Sequence, residues 1–185
     1  MYKKPSLLDN RPLDYARGLM AVMKKQTAEV FEQKPKNFHP KVEVASCFLE
    51  MDGRLLLLEE SLEKLEKGKW GVPAGKIEPN ETPEDSARRE LFEETGILVE
   101  HDSQIQSFGA LYIRKPKMDY TFHLFKIHLT SLPNVHLSTE HQNYKWASLE
   151  DIEKIPLMAA AKEVLRIFRI RCQNYNRSIT SRKLE

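Results

Sequence analysis

Apolar residues recur along this chain with two different periods, and the changes of period mark its elements. From Asn10 to Gln33, Leu13, Ala16, Leu19, Met20, Met23, Val30 and Phe31 fall at helical spacing, with Pro12 suited to a first turn. The pattern predicts an amphipathic helix, closed by a linker from Lys34 to Pro40 in which two prolines block its continuation. Two strand-like runs follow, Val42 to Glu50 and Arg54 to Glu60, joined by Asp52-Gly53, a strong hairpin signal. The charged stretch Ser61 to Lys69 reads as a loop or a single helical turn. Thr82 to Thr95 reads as a helix, with Thr82 to cap it, Pro83 first, Glu84 and Asp85 in its first turn and Gly96 after its end. Strands are predicted over Ile97 to Glu100, Ile105 to Arg114 and Tyr120 to Leu129. A last helix is predicted from Pro156 to Cys172, with Leu157, Ala161, Val164, Leu165 and Phe168 on one side, before a frayed basic end. These elements assemble most simply as a mixed sheet flanked by helices. They divide the chain into an N-terminal helical extension and linker (1–41), a catalytic-size domain (42–172) and a basic tail (173–185).

Composition narrows the classes of function. The 185 residues are 41% hydrophobic and 30% charged, ordinary for a globular protein. A net charge of +2 gives no general attraction to nucleic acid or to a membrane surface. The longest apolar run, Leu55 to Leu58, is far short of a membrane span, and the N-terminus lacks a signal-type apolar stretch. A cytoplasmic protein with no membrane partner is the expectation. Cys47 and Cys172 are read as reduced thiols, since a thiolate metal site needs more ligands than two cysteines supply.

Candidate chemistry sits inside the best-capped helix. Glu90, Glu93 and Glu94 stand at i, i+3 and i+4, so their carboxylates share one helix face, where like charges repel by some tenths of a kcal/mol. A cation would relieve that repulsion, and an all-oxygen donor set suits magnesium or manganese. Taken alone, the three acids are equally a solvated face neutralised by Arg88, Arg89 and nearby lysines. The run Gly71 to Lys76 faintly resembles a phosphate-binding P-loop. Its glycine spacing is short by one, however, and Ile77 stands where a hydroxyl should bind magnesium.

From Gly75 the chain reads GKIEPNETPEDSARRELFEETGI, which resembles the Nudix box at every defined position: Gly75, Glu81, Arg89, Glu90, Leu91, Glu93, Glu94, Gly96 and Ile97. Seven fixed identities at those spacings coincide by chance on the order of once in 10⁸ windows. The resemblance covers about Val42 to Arg171. It implies a Nudix-type α/β/α sandwich around a mixed β-sheet (α/β, α+β class), here with an N-terminal helical extension. It also implies hydrolysis of a nucleoside diphosphate linked to another group.

The resemblance further implies Mg2+, with Mn2+ as a substitute, held by Glu90, Glu93 and Glu94. Glu93 or Glu140 would accept the proton of the attacking water. Arg89 would orient a ligand carboxylate with Glu81 in the same network, and Gly75 and Lys76 would lie against the cation and phosphates. Many such enzymes carry a stretch like Glu140-His141-Gln142-Asn143-Tyr144-Lys145-Trp146, whose Glu serves as a further metal ligand or as the base. His141 and the five other histidines are read as structural or surface residues. Trp70, Tyr112, Tyr120, Phe122 and Tyr144 are either base-stacking groups or core. The expected partner is a small nucleotide: a nucleoside triphosphate, a dinucleoside polyphosphate or a nucleotide sugar. Two other readings stay open. Arg166, Arg169, Arg171, Arg177, Arg182 and Lys183 would suit an enzyme acting on RNA 5′ ends, and a non-catalytic module would sense a nucleotide. The N-terminal helix would cap the domain, extend the pocket or build a homodimer contact.

Overall fold

The computed structural model describes residues 28–99 and 105–182. Most of the expected N-terminal helix, together with Lys183, therefore lies outside the described residues. The strands are β1 (Glu29–Phe31), β2 (Pro40–Met51), β3 (Arg54–Glu60), β4 (Trp70–Gly71), β5 (Ala74–Lys76), β6 (Ile105–Lys115), β7 (Met118–His128) and β8 (His141–Ala147). The helices are α1 (Pro83–Thr95), α2 (Leu149–Ile152) and α3 (Ala161–Arg182).

The strands form one mixed sheet in the order β1-β6-β7-β2-β3-β4, with β5 added to β2 and β8 to β3. β2 and β7 run parallel from Val42↔Tyr120 to Glu50↔His128, and the other pairings are antiparallel. The hairpin read at Asp52-Gly53 is present. Both residues take left-handed backbone angles (φ 48 and 72), as a two-residue turn that matches strand twist requires.

The alternation of side chains explains why β2 and β3 read as nearly continuous apolar runs: both of their faces are covered. Phe48, Leu55, Leu57, Leu111, Ile113 and Leu124 pack with Val164, Leu165 and Phe168 of α3 on one side. Cys47, Leu49, Leu56, Leu58 and Ile127 pack with Leu91 of α1 on the other. The rings of Phe48 and Phe168 stack at 3.8 Å between centroids. This is the helix–sheet–helix sandwich expected from the sequence.

Three elements differ from the sequence expectations, the last of them at both ends. Glu29–Phe31, read as the end of a helix, is a strand that pairs with Tyr112–Arg114 on the sheet edge; Val30 and Phe31 are strand formers as much as helical ones. Residues 97–99 form no strand, and instead lay Ile97 into the core at 5% exposure. The final helix begins at Ala161 rather than Pro156 because residues 156–158 hydrogen-bond to Trp70 as an extended strap (Trp70 N to Pro156 O, 2.9 Å; Met158 N to Trp70 O, 3.0 Å). At its other end that helix continues ten residues past Cys172, through a stretch expected to fray.

Candidate active site

Helix α1 is fixed at both ends by its own sequence. Thr82 Oγ1 accepts from Asp85 N at 3.1 Å, Pro83 follows, and Gly96 (φ 67) donates its N–H to the Phe92 carbonyl at 2.7 Å. The resulting register buries Ser86, Ala87, Leu91, Glu94 and Thr95 against the sheet. Glu93 stays at the surface, 56% exposed, while Glu90 lies beside Gly75.

Arg89 organises these groups. Its Nε and Nη2 donate to the two oxygens of Glu81 at 2.8 and 2.9 Å, a two-point clamp. Its Nη1 donates to Glu90 Oε1 at 2.8 Å and Glu93 Oε2 at 3.0 Å, and Nη2 also reaches the Lys76 carbonyl at 2.9 Å. The clamp lowers the Glu81 carboxyl to about 2 and raises Arg89 above its ordinary value. Glu81 itself closes the loop before the helix: Glu78 N donates to its Oε2 at 3.0 Å, and Asn80 takes a left-handed turn (φ 68). It is the carbonyl of Lys76, on β5, that the structure ties into this network.

The need for Gly75 is steric. A Cβ built there would sit 1.8 Å from the carboxyl carbon of Glu90, so the glycine leaves the space this carboxylate occupies. Of the two roles a glycine could serve here, close approach is the one realised, since Gly75 is not among the glycines with positive φ.

Glu94 is buried, and its Oε2 accepts from Ala74 N at 3.1 Å. Burial first, and then the neighbouring Glu90, push its carboxyl well above the ordinary range. Facing it are two residues that sequence reasoning did not single out as chemical. His141, 6% exposed in its side chain, points Nε2 at Glu60 Oε1 (3.6 Å) and at Glu94 Oε1 (3.9 Å). Its burial favours the neutral imidazole. Glu60 is raised too, by burial and then by other acids nearby, with Lys64 opposing. His141 was read as structural or surface; its side chain is buried, and the pairing of Glu60 with His141 at the β3–β8 edge sets it in this cluster. No local sequence pattern announces that pairing.

Glu140 stands at the start of β8, exposed, and accepts from Lys64 Nζ at 2.5 Å. The ammonium holds its carboxyl below the usual range. Glu140 also acts electrostatically on Glu60, Glu90 and Glu94, so the four carboxylates share one locality.

The donor chemistry fits a hard divalent cation. Buried Glu94 is surrounded by one N–H, an imidazole whose burial favours its neutral form, and other carboxylates, an environment that added positive charge would relieve. Among the described residues, though, no three Asp, Glu, His or Cys side chains already stand at metal-holding distance. The physical reason is competition: Arg89 occupies Glu90 and Glu93, and Lys64 occupies Glu140.

Beside Glu94, Glu60 and His141 opens a cavity on the α3 side of the sheet, walled by Phe48, Val72, Ile113, Tyr120, Phe122 and Met158, with Lys115 at its rim. Of the five candidate stacking aromatics, Tyr120 and Phe122 line it. Trp70 packs partly buried against the core and bonds to the 156–158 strap, Tyr112 meets Phe38 edge-on at 5.4 Å, and Tyr144 is exposed. Carboxylates and an apolar cavity thus share a wall. Among the described residues no helix is long and apolar enough to cross a membrane.

The sequence matches the NUDIX domain family over residues 39–168. It is 28% identical over 130 residues to the CTP pyrophosphohydrolase of Escherichia coli, covering 69% of this chain and 90% of that protein. It is 35% identical over 120 residues to Phosphatase NudJ of Shigella boydii, covering 63% of this chain and 74% of that protein. Among solved structures it resembles the MutT protein from Methanosarcina mazei Go1, with a TM-score of 0.58 at 26% identity, covering 75% of this chain and 95% of the other.

Proposed function

The chain belongs to the NUDIX domain family, and on that premise we propose that it hydrolyses a phosphoanhydride bond of a nucleoside triphosphate with the help of Mg2+, for which Mn2+ can substitute. The observation that carries this reading is the shared wall: carboxylates of α1 and the β3–β8 edge on one side, an apolar cavity with two aromatic rings on the other. The second would take the apolar face of a nucleobase, and the first would hold a cation that offsets the charge of its phosphates. Likeness to a CTP pyrophosphohydrolase supports nucleoside triphosphates ahead of dinucleoside polyphosphates and nucleotide sugars.

Glu90, Glu93, Glu94 and Glu140 would hold the cation. When bound, it supplies charge to the phosphate oxygens and activates water. The protein's own residues do the rest. Arg89, bonded to Glu81, Glu90 and Glu93 at once, fixes the directions of those carboxylates, and Gly75 leaves Glu90 its room. Glu93, at the surface and held by Arg89 Nη1, accepts the proton of the attacking water. Glu140 is instead engaged by the Lys64 ammonium, which holds its carboxyl below the usual range.

The basic C-terminal residues give RNA less support than their number implies. Arg166 is bonded to Glu163, and Arg171 to the carbonyls of Phe108 and Ala110 and to Glu32, so both serve the fold. The test is a product-release screen with magnesium, with manganese and with a chelator. Nucleoside triphosphates, dinucleoside polyphosphates, nucleotide sugars and 5′-triphosphate RNA would be compared. Cation-dependent turnover, fastest for a nucleoside triphosphate, is expected. Turnover that survives chelation would remove the cation from the account, and a preference for RNA would replace the substrate.

A further inference from the structure

A polyanionic substrate entering this site meets Glu60, Glu90, Glu93, Glu94 and Glu140, and the strongest cation nearby is already engaged. Every donor nitrogen of Arg89 is bonded: Nε and Nη2 to Glu81, Nη1 to Glu90 and Glu93, Nη2 also to the Lys76 carbonyl. Its task is to hold carboxylates. Lys64 is different. It stands on the loop between β3 and β4, and among the described residues its ammonium donates to Glu140.

The loop is anchored so that this ammonium stays close to the site. Ser61 N donates to the Glu140 carbonyl at 2.9 Å, and Lys64 N to the Ser61 carbonyl at 3.1 Å. Further along, Glu66 accepts from Lys115 Nζ at 2.7 Å and from Ala159 N at 2.6 Å, at the rim of the apolar cavity. Between these anchors the side chain of Lys64 is 39% exposed and that of Glu140 56% exposed. A pair so exposed is screened by water and only weakly held, so exchanging one partner for another costs little. Glu60 and Glu94 also act on the Lys64 charge, which puts it in the field of the carboxylates that would hold the cation.

We propose that Lys64 is a phosphate-binding residue with two alternating partners, closing on Glu140 when no divalent cation is bound and passing to a substrate phosphate when Glu140 turns to the cation. The proposal rests on the hydrolase reading above for the identity of the cation and the anion. Lys64 and the cation thus compete for one carboxylate, while Lys64 and the cation cooperate on the diphosphate group of the substrate. Such a side chain guards the site against holding bare cation and favours cation that arrives with phosphate.

Binding rather than turnover tests it. Titrations of Mn2+ alone, followed by electron paramagnetic resonance, compare the wild type with Lys64→Met. The variant is expected to bind at least threefold more tightly, and this gain should vanish in a Glu140→Gln background. With Mn2+ saturating, imidodiphosphate, a non-hydrolysable pyrophosphate analogue, should bind Lys64→Met at least tenfold more weakly than wild type, and Lys64→Arg should recover most of the loss. Equal Mn2+ affinity in wild type and Lys64→Met, a gain that persists without Glu140, or unchanged imidodiphosphate affinity would each overturn the proposal. No Mn2+ binding by either protein would instead strike down the cation reading on which it rests.

Discussion

The two walls of the site are built in opposite ways. The segment from Gly75 to Gly96 is self-contained: Arg89 reaches Glu81, Ser86, Glu90, Glu93 and the Lys76 carbonyl, all within thirteen residues of itself. The facing wall joins distant parts of the chain. Lys64 meets Glu140 across 76 residues, and His141 meets Glu60 through the β3–β8 register. The side chains of the local wall meet through a clamp of several charge-assisted bonds, whereas on the distant wall, whose backbone is held by the β3–β8 ladder, Glu60, Lys64, Glu94, Glu140 and His141 meet through one exposed ion pair and two contacts beyond hydrogen-bond length. The first arrangement fixes its carboxylates, and the second leaves its side chains free to re-pair.

Breaking the local wall should cost most. Gly75→Ala places a methyl where the Glu90 carboxyl stands, so kcat should fall a hundredfold or more with only a small drop in melting temperature. Steady-state kinetics alongside calorimetry separate the two readouts. Arg89→Lys keeps the charge but loses the fork to Glu81 and the shared contact with Glu90 and Glu93, and kcat should fall about 10–100-fold. If Arg89→Lys were neutral, the clamp would be ornamental and the local wall no stiffer than the distant one.

The distant wall should respond less and in the opposite sense for stability. Ionised Glu60 is disfavoured by burial and by neighbouring acids, so its raised carboxyl destabilises the metal-free fold at pH above its folded value. Glu60→Gln should therefore stabilise the metal-free protein by about 1 kcal/mol at pH 8 in thermal unfolding, while weakening Mn2+ binding a few-fold. The smallest effect concerns Glu81. Its lowered carboxyl contributes stability that is fully present above the unfolded value near 4.5 and is lost as pH falls toward about 2. Glu81→Gln should flatten that acid limb by less than about 1 kcal/mol once solvent screening is counted, measured by denaturant titration from pH 6 to 2.5.

The same contrast explains what the sequence made legible. Helix α1 declares itself because cap, first-turn proline and terminating glycine lie within fifteen residues, and its acids carry their spacing with them. The hairpin is as plain, since Asp52 and Gly53 alone decide the turn. Strand β1 was hidden because its pairing is with Tyr112–Arg114, about eighty residues on, and Val30 and Phe31 satisfy either period. Ile97 and Val99 look like strand residues, yet Ile97 serves as a buried plug after the helix, its N–H donated to Thr95 Oγ1 at 3.2 Å. The extra turns of α3 looked too polar to persist. There Ser178, Thr180 and Ser181 direct their hydroxyls to carbonyls three and four residues back and so fit within the helix. Of the site, the box acids and Arg89 could be named from the resemblance of Gly75 to Ile97 to the Nudix box, where spacing alone left a solvated acidic face as an alternative. The positions of Glu60 and His141 follow from sheet register, and that of Lys64 from a loop anchored to Glu140 by Ser61 N, none of which a short pattern encodes.

The most direct test of the whole account is the magnesium-dependent turnover of nucleoside triphosphates by wild type and by Glu93→Gln, measured side by side as kcat and KM. The account predicts measurable cation-dependent hydrolysis by the wild type and a kcat at least a hundredfold lower in the variant, with KM changed only a few-fold. A variant that kept most of its kcat would contradict the assignment of Glu93, and with it the claim that the α1 carboxylates carry the chemistry.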